Sequence, residues 1–479
     1  MAKNIIMIVT DTFRFDNLKE RAQIPVRTPE LDQFAKERAT EISKYYMGSF
    51  PTIPHRTDLA TGVTGWPHYG WQSIELSSSN HIAKLLGEKG YATQLICDCP
   101  HLFNAGFPSS FDAAYQHRGQ EGDKPLLHLN DQVKEIVRDE KTRTTPTYRG
   151  HNLVNQHRWT NRYFKNESQT FSARTSKTTI QWLEENYTVN PFFLWVDLFD
   201  PHEPWDPPEY MVKRYDPSYN GPPMLHPNYG RSSDYSKPEL RNLWAHYAAE
   251  SELVDRHIGS ILKKIDDLDL WQDSIVLVLS DHGISLGEHG RTGKSNIKQN
   301  DDRYWPIYPE IGHGILMLAG GDIPRGKELP LITQTIDILP SLCDLAGISV
   351  EPPQSFDGRS FASAVLNQSK NHREFAVSGC HILDCKSGIP RRATTPFLIT
   401  DQWGYAPLGA YGENEIYHLS RDSLAENDLS QHNNNLIKEL YHLFKEHLIQ
   451  NHASEELISL WDKRRWQKPS GGKWATDYT

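Results

Sequence analysis

Short apolar runs recur along the chain and alternate with segments whose apolar residues follow a helical period. Runs with the length and composition of buried strands lie at residues 4–10, 93–96, 192–198, 275–279 and 314–318. A strong helical period occupies residues 243–265, ahead of the fourth run, and a shorter one at 82–89 precedes the second. This alternation predicts an α/β fold with a large, mostly parallel sheet flanked by helices.

The last quarter of the chain has a different pattern. A helix is predicted at residues 338–346, with Asp337 in the N-cap position and Gly347 at its end. From about residue 370 the apolar runs shorten, and a helical period follows at 434–449. We therefore predict a catalytic α/β domain at residues 1–370 and a smaller C-terminal α+β domain at 371–479. The segment 200–234 is rich in Pro, Tyr and Asp, which predicts a loop that covers or shapes a site.

Composition and charge narrow the function classes. The chain has 479 residues, 37% of them hydrophobic and 11% aromatic, which excludes a wholly disordered protein. The formal net charge of −10 argues against a nucleic-acid partner. No run approaches about 18 apolar residues, so we expect no membrane span. The first apolar run ends at Asp11 without the features of a signal peptide, and the five cysteines are sparse, so we expect a cytoplasmic protein.

Polar residues follow three of the predicted strands. Asp11 ends the first run, Asp200 and His202 follow 192–198, and Asp281 and His282 follow 275–279. One such Asp is usually a cap or turn residue. Three such places favour a shared site, because ligands of parallel α/β sheets bind at the carboxyl ends of the strands. Carboxylate and imidazole together suit a divalent cation such as Zn, Mn or, less readily, Ca.

The segment 52–62 reads Thr-Ile-Pro-His-Arg-Thr-Asp-Leu-Ala-Thr-Gly. It resembles the signature of the sulfatase family, in the alkaline-phosphatase superfamily: Cys or Ser, any residue, Pro, any residue, Arg, four residues, then Thr-Gly. Pro54, Arg56, Thr61 and Gly62 match in register, and Thr52 stands where the family has Cys or Ser. The resemblance extends from residue 5 to about 429 and includes the Asp-Pro-His stretch at 200–202, the Asp-His-Gly stretch at 281–283 and Lys294.

Two local departures accompany this resemblance. The family often has a second Asp after the first strand, where this chain has Thr12. After the strand at 93–96 the family usually reads Gly-Lys-Trp-His, whereas this chain reads Cys-Asp-Cys-Pro-His at residues 97–101. The lysine is absent, and it is open whether His101 takes the place of the family histidine.

The resemblance implies a role for each matching residue. Asp11, Asp281 and His282 would hold one divalent metal ion (Mn, Zn or Ca), with the hydroxyl of Thr52 as a further ligand. Thr52 would be the nucleophile, and Arg56 would stabilise its alkoxide. Lys294 would neutralise charge on the non-bridging oxygens, and His202 would lie on the leaving-group side and could protonate the leaving oxygen. Each also has a structural reading: a salt bridge for Arg56, a solvated loop for Lys294 and packing for His202. For His289 and His313 we expect structural roles.

Thr52 decides the expected chemistry. Sulfatases act through formylglycine, an oxidised Cys or Ser whose hydrate expels sulfate by elimination. Threonine is not expected to undergo this maturation, so we expect no formylglycine. Phosphoryl relatives in the superfamily use an unmodified Thr or Ser on a metal. We therefore expect cleavage of phosphoesters, either phosphodiesters or phosphonate monoesters.

Two alternatives stay open at the level of sequence. One is a sulfatase that acts on a sulfated sugar or an aryl sulfate. The other is a non-catalytic sulfatase-like protein that binds glycans. In each enzymatic case the partner is a small-molecule or glycan ester.

Overall fold

The computed structural model describes residues 3–74, 80–123, 153–162, 164–350, 355–368, 372–384, 388–464 and 466. Cys385 lies outside these residues, while the other four cysteines are buried thiols. Among the helices of the described part, none has the length and apolar content that crossing a membrane requires.

The described residues form the following helices and strands. The strands are β1 (Asn4–Thr10), β2 (Thr40–Tyr46), β3 (Ser49–Phe50), β4 (Ala92–Cys97), β5 (Ala113–Gln116), β6 (Phe192–Leu198), β7 (Gly230–Arg231), β8 (Ser274–Ser280), β9 (Ser285–Leu286), β10 (Arg291–Gly293), β11 (Trp305–Pro306), β12 (Leu316–Ala319), β13 (Lys327–Gln334), β14 (Phe375–Cys380), β15 (Ile382–Asp384), β16 (Ile389–Pro390), β17 (Thr394–Thr395), β18 (Phe397–Thr400), β19 (Trp403–Ala406) and β20 (Glu415–His418). The helices are α1 (Pro29–Glu37), α2 (Thr52–Thr61), α3 (Ile82–Glu88), α4 (Pro100–Asn104), α5 (Leu153–Asn161), α6 (Phe171–Asn186), α7 (Glu209–Tyr215), α8 (Lys237–Asp267), α9 (Pro309–Gly312), α10 (Ile338–Ala346), α11 (Ala362–Val365), α12 (Asn434–Gln450) and α13 (Glu455–Asp462).

A central sheet of eight strands organises the larger part of the chain. Its order is β13-β2-β12-β8-β1-β6-β4-β5. Within it β12 is antiparallel to both neighbours, and the other described pairings are parallel. Separate clusters of buried apolar side chains cover its two faces, and α8 packs on one of them. Strands β1, β6 and β8 are buried along their whole length, which explains why they are apolar runs without alternation.

The predicted α/β class is confirmed, and several predicted elements match closely. Strands β1 and β6 and helix α10 have the predicted bounds, and β8 is longer than predicted by one residue at each end. The pattern of the sequence did not reveal β2 and β13. They pair with each other, and both contain charged residues, so neither forms an apolar run. The predicted loop at 200–234 contains α7 and the short strand β7.

A second sheet joins the C-terminal part to the site region. Its order is β20-β19-β18-β14-β3. Strand β3 comes from the beginning of the chain and lies directly before α2, whereas the other four strands follow residue 370. Parallel pairing places Gly379 beside Ser49 and Cys380 beside Phe50. The boundary at residues 370/371 stays a prediction, and this sheet crosses it through β3.

Asp337 has a different local role from the one predicted. It precedes α10, but its carboxylate makes no cap hydrogen bond to that helix. It accepts hydrogen bonds from the backbone N–H groups of Gln334 and Arg359 and from the side chains of His372 and Arg373. Burial raises the pKa of Asp337, but the charge and hydrogen bonds of Arg373 and the hydrogen bond of His372 together outweigh burial and hold this pKa below its usual range. The carboxylate therefore ties the segment before β14 to the central domain.

We expect Asp337→Asn to lower the free energy of unfolding by about 3 kcal/mol, because it leaves the largely buried guanidinium of Arg373 without its counter-charge. Urea unfolding followed by circular dichroism measures this change. The matched control is Asp344→Asn, an exposed position on α10, which should change stability by less than about 0.5 kcal/mol. Equal effects of the two substitutions would contradict this role of Asp337.

Candidate active site

Three predicted metal ligands meet at the carboxyl ends of two adjacent strands. Thr10 of β1 pairs with Ser280 of β8, so the residues that follow them, Asp11 and Asp281, emerge side by side. His282 comes next. The side chains of Asp11, Asp281 and His282 are fully buried, and one ligand atom from each lies within 4.8 Å of the others.

The hydrogen bonds of His282 leave one ring nitrogen free to bind a cation. Its Nδ1 donates to the carbonyl of Gly283 at 3.0 Å. Its Nε2 has no hydrogen-bond partner among the described residues, and it lies 3.5 Å from Asp281 Oδ2 and 3.9 Å from Asp11 Oδ1. Burial lowers the pKa of His282 to about 3, so the ring is neutral and Nε2 carries a lone pair. Within the described part of the chain, Asp11 Oδ2 also accepts no hydrogen bond, although Arg56 Nη1 lies 3.2 Å from it. These converging lone pairs fit a divalent cation.

Arg56 of α2 packs against the same carboxylates. Its Nε and Nη2 donate to the two carboxylate oxygens of Asp197, at 3.2 and 3.0 Å. Its Nη1 donates to Asp281 and lies 3.2 Å from Asp11 Oδ2. All four side chains are fully buried. The salt-bridge reading of Arg56 is therefore present in the structure, and the guanidinium fixes this helix against β1, β6 and β8.

Thr52 is the first residue of α2, one helical turn before Arg56. Residues four positions apart lie on the same face of a helix, so Thr52 lies on the face of α2 that carries Arg56. Thr52 lines a cavity of about 700 Å³ together with His202, Lys294 and His101. The structure thus brings Thr52, His202 and Lys294 to one cavity, with the cation ligands and Arg56 buried beside it.

Lys294 is not a solvated loop residue. Its side chain is 5% exposed, and Nζ donates to the hydroxyl of Thr12 at 2.7 Å. The hydroxyl of Thr12 donates to Asp11 Oδ1, and its N–H donates to Asp281 Oδ1. Thr12 has a φ of +61°, a strained conformation for a β-branched residue. These hydrogen bonds hold it there, so Thr12 links Lys294 to the carboxylates.

The loop after β6 contains the predicted His202 and, next to it, Glu203, which the sequence did not mark as functional. His202 stacks on Phe199 with ring centroids 4.1 Å apart, and its Nδ1 donates to the carbonyl of Glu203. The carboxylate of Glu203 is fully buried, lies 3.3 Å from Lys294 Nζ and accepts a hydrogen bond from the hydroxyl of Tyr229. Asp197, which contacts Arg56, also belongs to the site. The sequence does contain a signal for Asp197, because it is a charged residue within the otherwise apolar strand β6.

Three further histidines considered in the sequence analysis lie at the cavity or in the core. His101 lines the cavity and packs edge-on against Trp71 and Phe199, and burial lowers its pKa to about 4. His313 stacks on Phe15 and bonds to a backbone carbonyl. His289 stacks on Tyr308. His313 and His289 therefore have the expected packing contacts.

The buried charges of the site do not balance. The carboxylates in direct contact with Arg56 and Lys294 are those of Asp11, Asp197, Asp281 and Glu203. With all four carboxylates ionised and the imidazoles neutral, the four carboxylates and two cations carry a formal charge of −2, and burial raises the pKa of Asp281 well above its ordinary value. Uncompensated buried charge is costly, so this excess also favours a divalent cation.

Comparisons with known proteins agree with the fold and the motifs. The sulfatase family model matches residues 3–348. Arylsulfatase K of Mus musculus is 24% identical over 450 residues, which cover 88% of this chain and 75% of that protein. An arylsulfatase of Clostridium perfringens is 23% identical, with coverages of 88% and 89%.

Solved structures with a similar fold include a phosphonate monoester hydrolase and a sulfatase. The phosphonate monoester hydrolase of Agrobacterium radiobacter has a TM-score of 0.68 and 18% identity, with 94% of this chain and 95% of that chain covered. A structure described as a 2-O GAG sulfatase has a TM-score of 0.66 and 17% identity, with 96% of each chain covered. At these identities the likeness concerns the fold.

We expect Asp281→Ala to lose one equivalent of tightly bound divalent metal per chain, together with hydrolytic activity, because it removes a ligand from the buried cluster. Inductively coupled plasma mass spectrometry of the gel-filtered protein measures the metal. Asp123→Asn is the matched control: Asp123 lines the same cavity but binds Arg118, and this variant should keep its metal. Full metal content in Asp281→Ala would exclude Asp281 as a ligand.

Proposed function

The chain belongs to the sulfatase family, and we propose that it cleaves phosphodiesters or phosphonate monoesters with unmodified Thr52 as the nucleophile. The family and its structural neighbours establish a hydrolase of phosphoric or sulfuric esters. The observation that carries the finer proposal is a threonine at the start of α2, one turn from Arg56, in a cavity with Lys294 and His202.

The cation would be held by Asp11, Asp281 and His282, with the hydroxyl of Thr52 as a further ligand. When bound, a divalent cation (Mn, Zn or Ca) lowers the pKa of a hydroxyl in its ligand set and so favours the alkoxide. The guanidinium of Arg56 supports this charge from one helical turn away.

The protein's own side chains account for the rest of the reaction. The oxygen of Thr52 forms a bond to phosphorus while the bond to the leaving oxygen breaks, which gives a threonyl phosphate ester. Lys294 offsets charge on the non-bridging oxygens, because its ammonium faces the cavity from beside Thr12. His202 donates a proton to the leaving oxygen, and takes a proton back from the water that attacks phosphorus in the second step. Water then hydrolyses the ester and restores Thr52.

The side chain of threonine favours phosphate over sulfate. A threonyl phosphate keeps the negative oxygens that Lys294 and Arg56 stabilise while water attacks in line. A threonyl sulfate carries less charge, so the same cations stabilise it less. It also lacks the second hydroxyl that lets a formylglycine hydrate expel sulfate by elimination.

A sulfatase is the second candidate, because the curated relatives in mouse and Clostridium perfringens are named arylsulfatases. Such an activity would require turnover of a threonyl sulfate or attack by water. A non-catalytic glycan-binding protein is disfavoured, since the buried carboxylates, Arg56, Lys294 and Thr52 are all in place.

We expect Thr52→Ala to lower kcat by about 1,000-fold or more, because a nucleophile is removed. Thr52→Ser should keep measurable activity, because it retains the hydroxyl. The substitution Thr57→Ser, on the same helix and outside the cavity lining, is the matched control and should have near-normal kcat. Near-normal kcat in Thr52→Ala would show that Thr52 is not the attacking group.

We expect matched aryl phosphodiesters and aryl phosphonate monoesters to be hydrolysed with a higher kcat/KM than the aryl sulfate with the same leaving group. Steady-state assays with Mn, Zn and Ca in turn measure the three substrates. Faster turnover of the sulfate, with an ordinary threonine at position 52, would replace the phosphoesterase proposal by the sulfatase alternative.

A further inference from the structure

A second group of carboxylates and imidazoles borders the cavity beyond Lys294. It consists of Glu121, His202, Glu203 and His226, which we name the side cluster. Ligand atoms of the first three all lie within 4.8 Å of one another. His226 Nε2 lies 3.7 Å from Glu121 Oε2. At most 9% of any of these side chains is exposed, and those of Glu203 and His226 are fully buried.

Both imidazoles of the side cluster are held in the same tautomer. His202 Nδ1 donates to the carbonyl of Glu203 at 2.6 Å, and His226 Nδ1 donates to the carbonyl of Pro227 at 2.7 Å. In the neutral rings each Nε2 then carries a lone pair. His226 Nε2 is buried without a hydrogen-bond partner among the described residues. Histidines that bind metals have this arrangement, with one ring nitrogen fixed by a carbonyl and the other facing the ion.

The nitrogen–oxygen distances between side chains of the side cluster are longer than those of hydrogen-bonded pairs. Glu121 Oε2 lies 3.9 Å from His202 Nδ1, the ring nitrogen that donates to the carbonyl of Glu203. His202 Nε2 and Glu203 Oε1 are 3.7 Å apart, as are His226 Nε2 and Glu121 Oε2. These separations exceed the usual limit of about 3.2 Å for an N–H···O hydrogen bond. Ligand atoms at about 2.1 Å from a tetrahedral zinc ion are about 3.4 Å from each other. Within each of these two pairs, a shift of a few tenths of an ångström would give the separation expected for two ligands of one ion.

Two neighbouring side chains fix the orientation of the Glu203 carboxylate. Its Oε2 lies 3.3 Å from Lys294 Nζ, and its Oε1 accepts a hydrogen bond from the hydroxyl of Tyr229. Carboxylates that bind metals are commonly oriented by such partners. Lys294 Nζ also lies 4.0 Å from Asp11 Oδ1, so its single positive charge is shared between Glu203 and the carboxylate of Asp11 in the first cation site.

We propose that the side cluster binds a second divalent cation, with His202, His226, Glu121 and Glu203 as ligands. Two imidazole nitrogens and two carboxylates suit Zn or Mn better than Ca, which prefers oxygen ligands. The residues of the side cluster would hold this cation on the other side of Lys294 from the first cation site, where it would offset negative charge on the leaving oxygen. With Nε2 of His202 as a ligand, this nitrogen would carry no proton. The cation would then offset the charge on the leaving oxygen in place of a proton from His202. Its binding is measured without substrate, so the test does not depend on the proposed phosphoesterase activity.

The experiment counts zinc ions in the full-length protein. The protein is stripped with a chelator, loaded with excess ZnCl₂, gel-filtered and measured by inductively coupled plasma mass spectrometry. Wild type should hold two zinc ions per chain. His226→Gln and Glu121→Gln should each hold one, and Asp281→Ala should also hold one, because it removes the other ion. The double variant Asp281→Ala with His226→Gln should hold none.

A control and a second readout protect the result against loss of folding. Asp123→Asn, two positions from Glu121, should keep two zinc ions, and circular dichroism should show the same helix content in every variant. Cobalt loading of Asp281→Ala should give the strong visible absorption of a four-coordinate site, and His226→Gln should abolish it in that background. One zinc ion in wild type, or two in folded His226→Gln and Glu121→Gln, would overturn the proposal.

Discussion

The site depends on one buried interaction, the contact of Arg56 with three carboxylates. Asp11, Asp197 and Asp281 come from the three neighbouring strands β1, β6 and β8, and all are fully buried. Without a cation among them, these carboxylates would not stay charged in the interior. A guanidinium suits this place because its planar fork bonds to both oxygens of one carboxylate while the remaining nitrogen reaches the others. The same contact fixes α2, and with it Thr52, at the carboxyl edge of the sheet.

Other parts of the fold converge on this arrangement. The loop after β6 contributes His202 and Glu203, and the segment after β10 contributes Lys294. Strand β3 joins the second sheet immediately before α2, so the C-terminal part of the chain fixes the approach to Thr52. The nucleophile is thus held on one side by a salt bridge and on the other by a strand pairing, as positioned catalysis requires.

Much of this architecture could be predicted from the sequence, because parallel strands buried on both faces have unbroken apolar sequences. Strands β1 and β6 are such runs. The Asp and His residues that follow them could also be identified as candidate site residues from the sequence. Strands β2 and β13 could not be found in this way, because charged residues interrupt both. Glu203, which lies 3.3 Å from Lys294 Nζ, and His226, a ligand in the proposed second cation site, were also missed, because their contacts form between loops that approach each other only in the folded chain. Asp197 was visible as a charge inside an apolar strand, but only the fold shows that Arg56 is its partner.

The central claim is that an unmodified Thr52 carries the transferred group. Its most direct test is mass spectrometry of the full-length protein, quenched with acid during turnover of an aryl phosphodiester or phosphonate monoester and then digested. We predict that the peptide with Thr52 has the mass of ordinary threonine before reaction and carries one phosphoryl or phosphonyl adduct, located on Thr52, after the quench. An aldehyde at position 52 before reaction, or turnover with no adduct on Thr52 under conditions that trap one in Thr52→Ser, would contradict the claim.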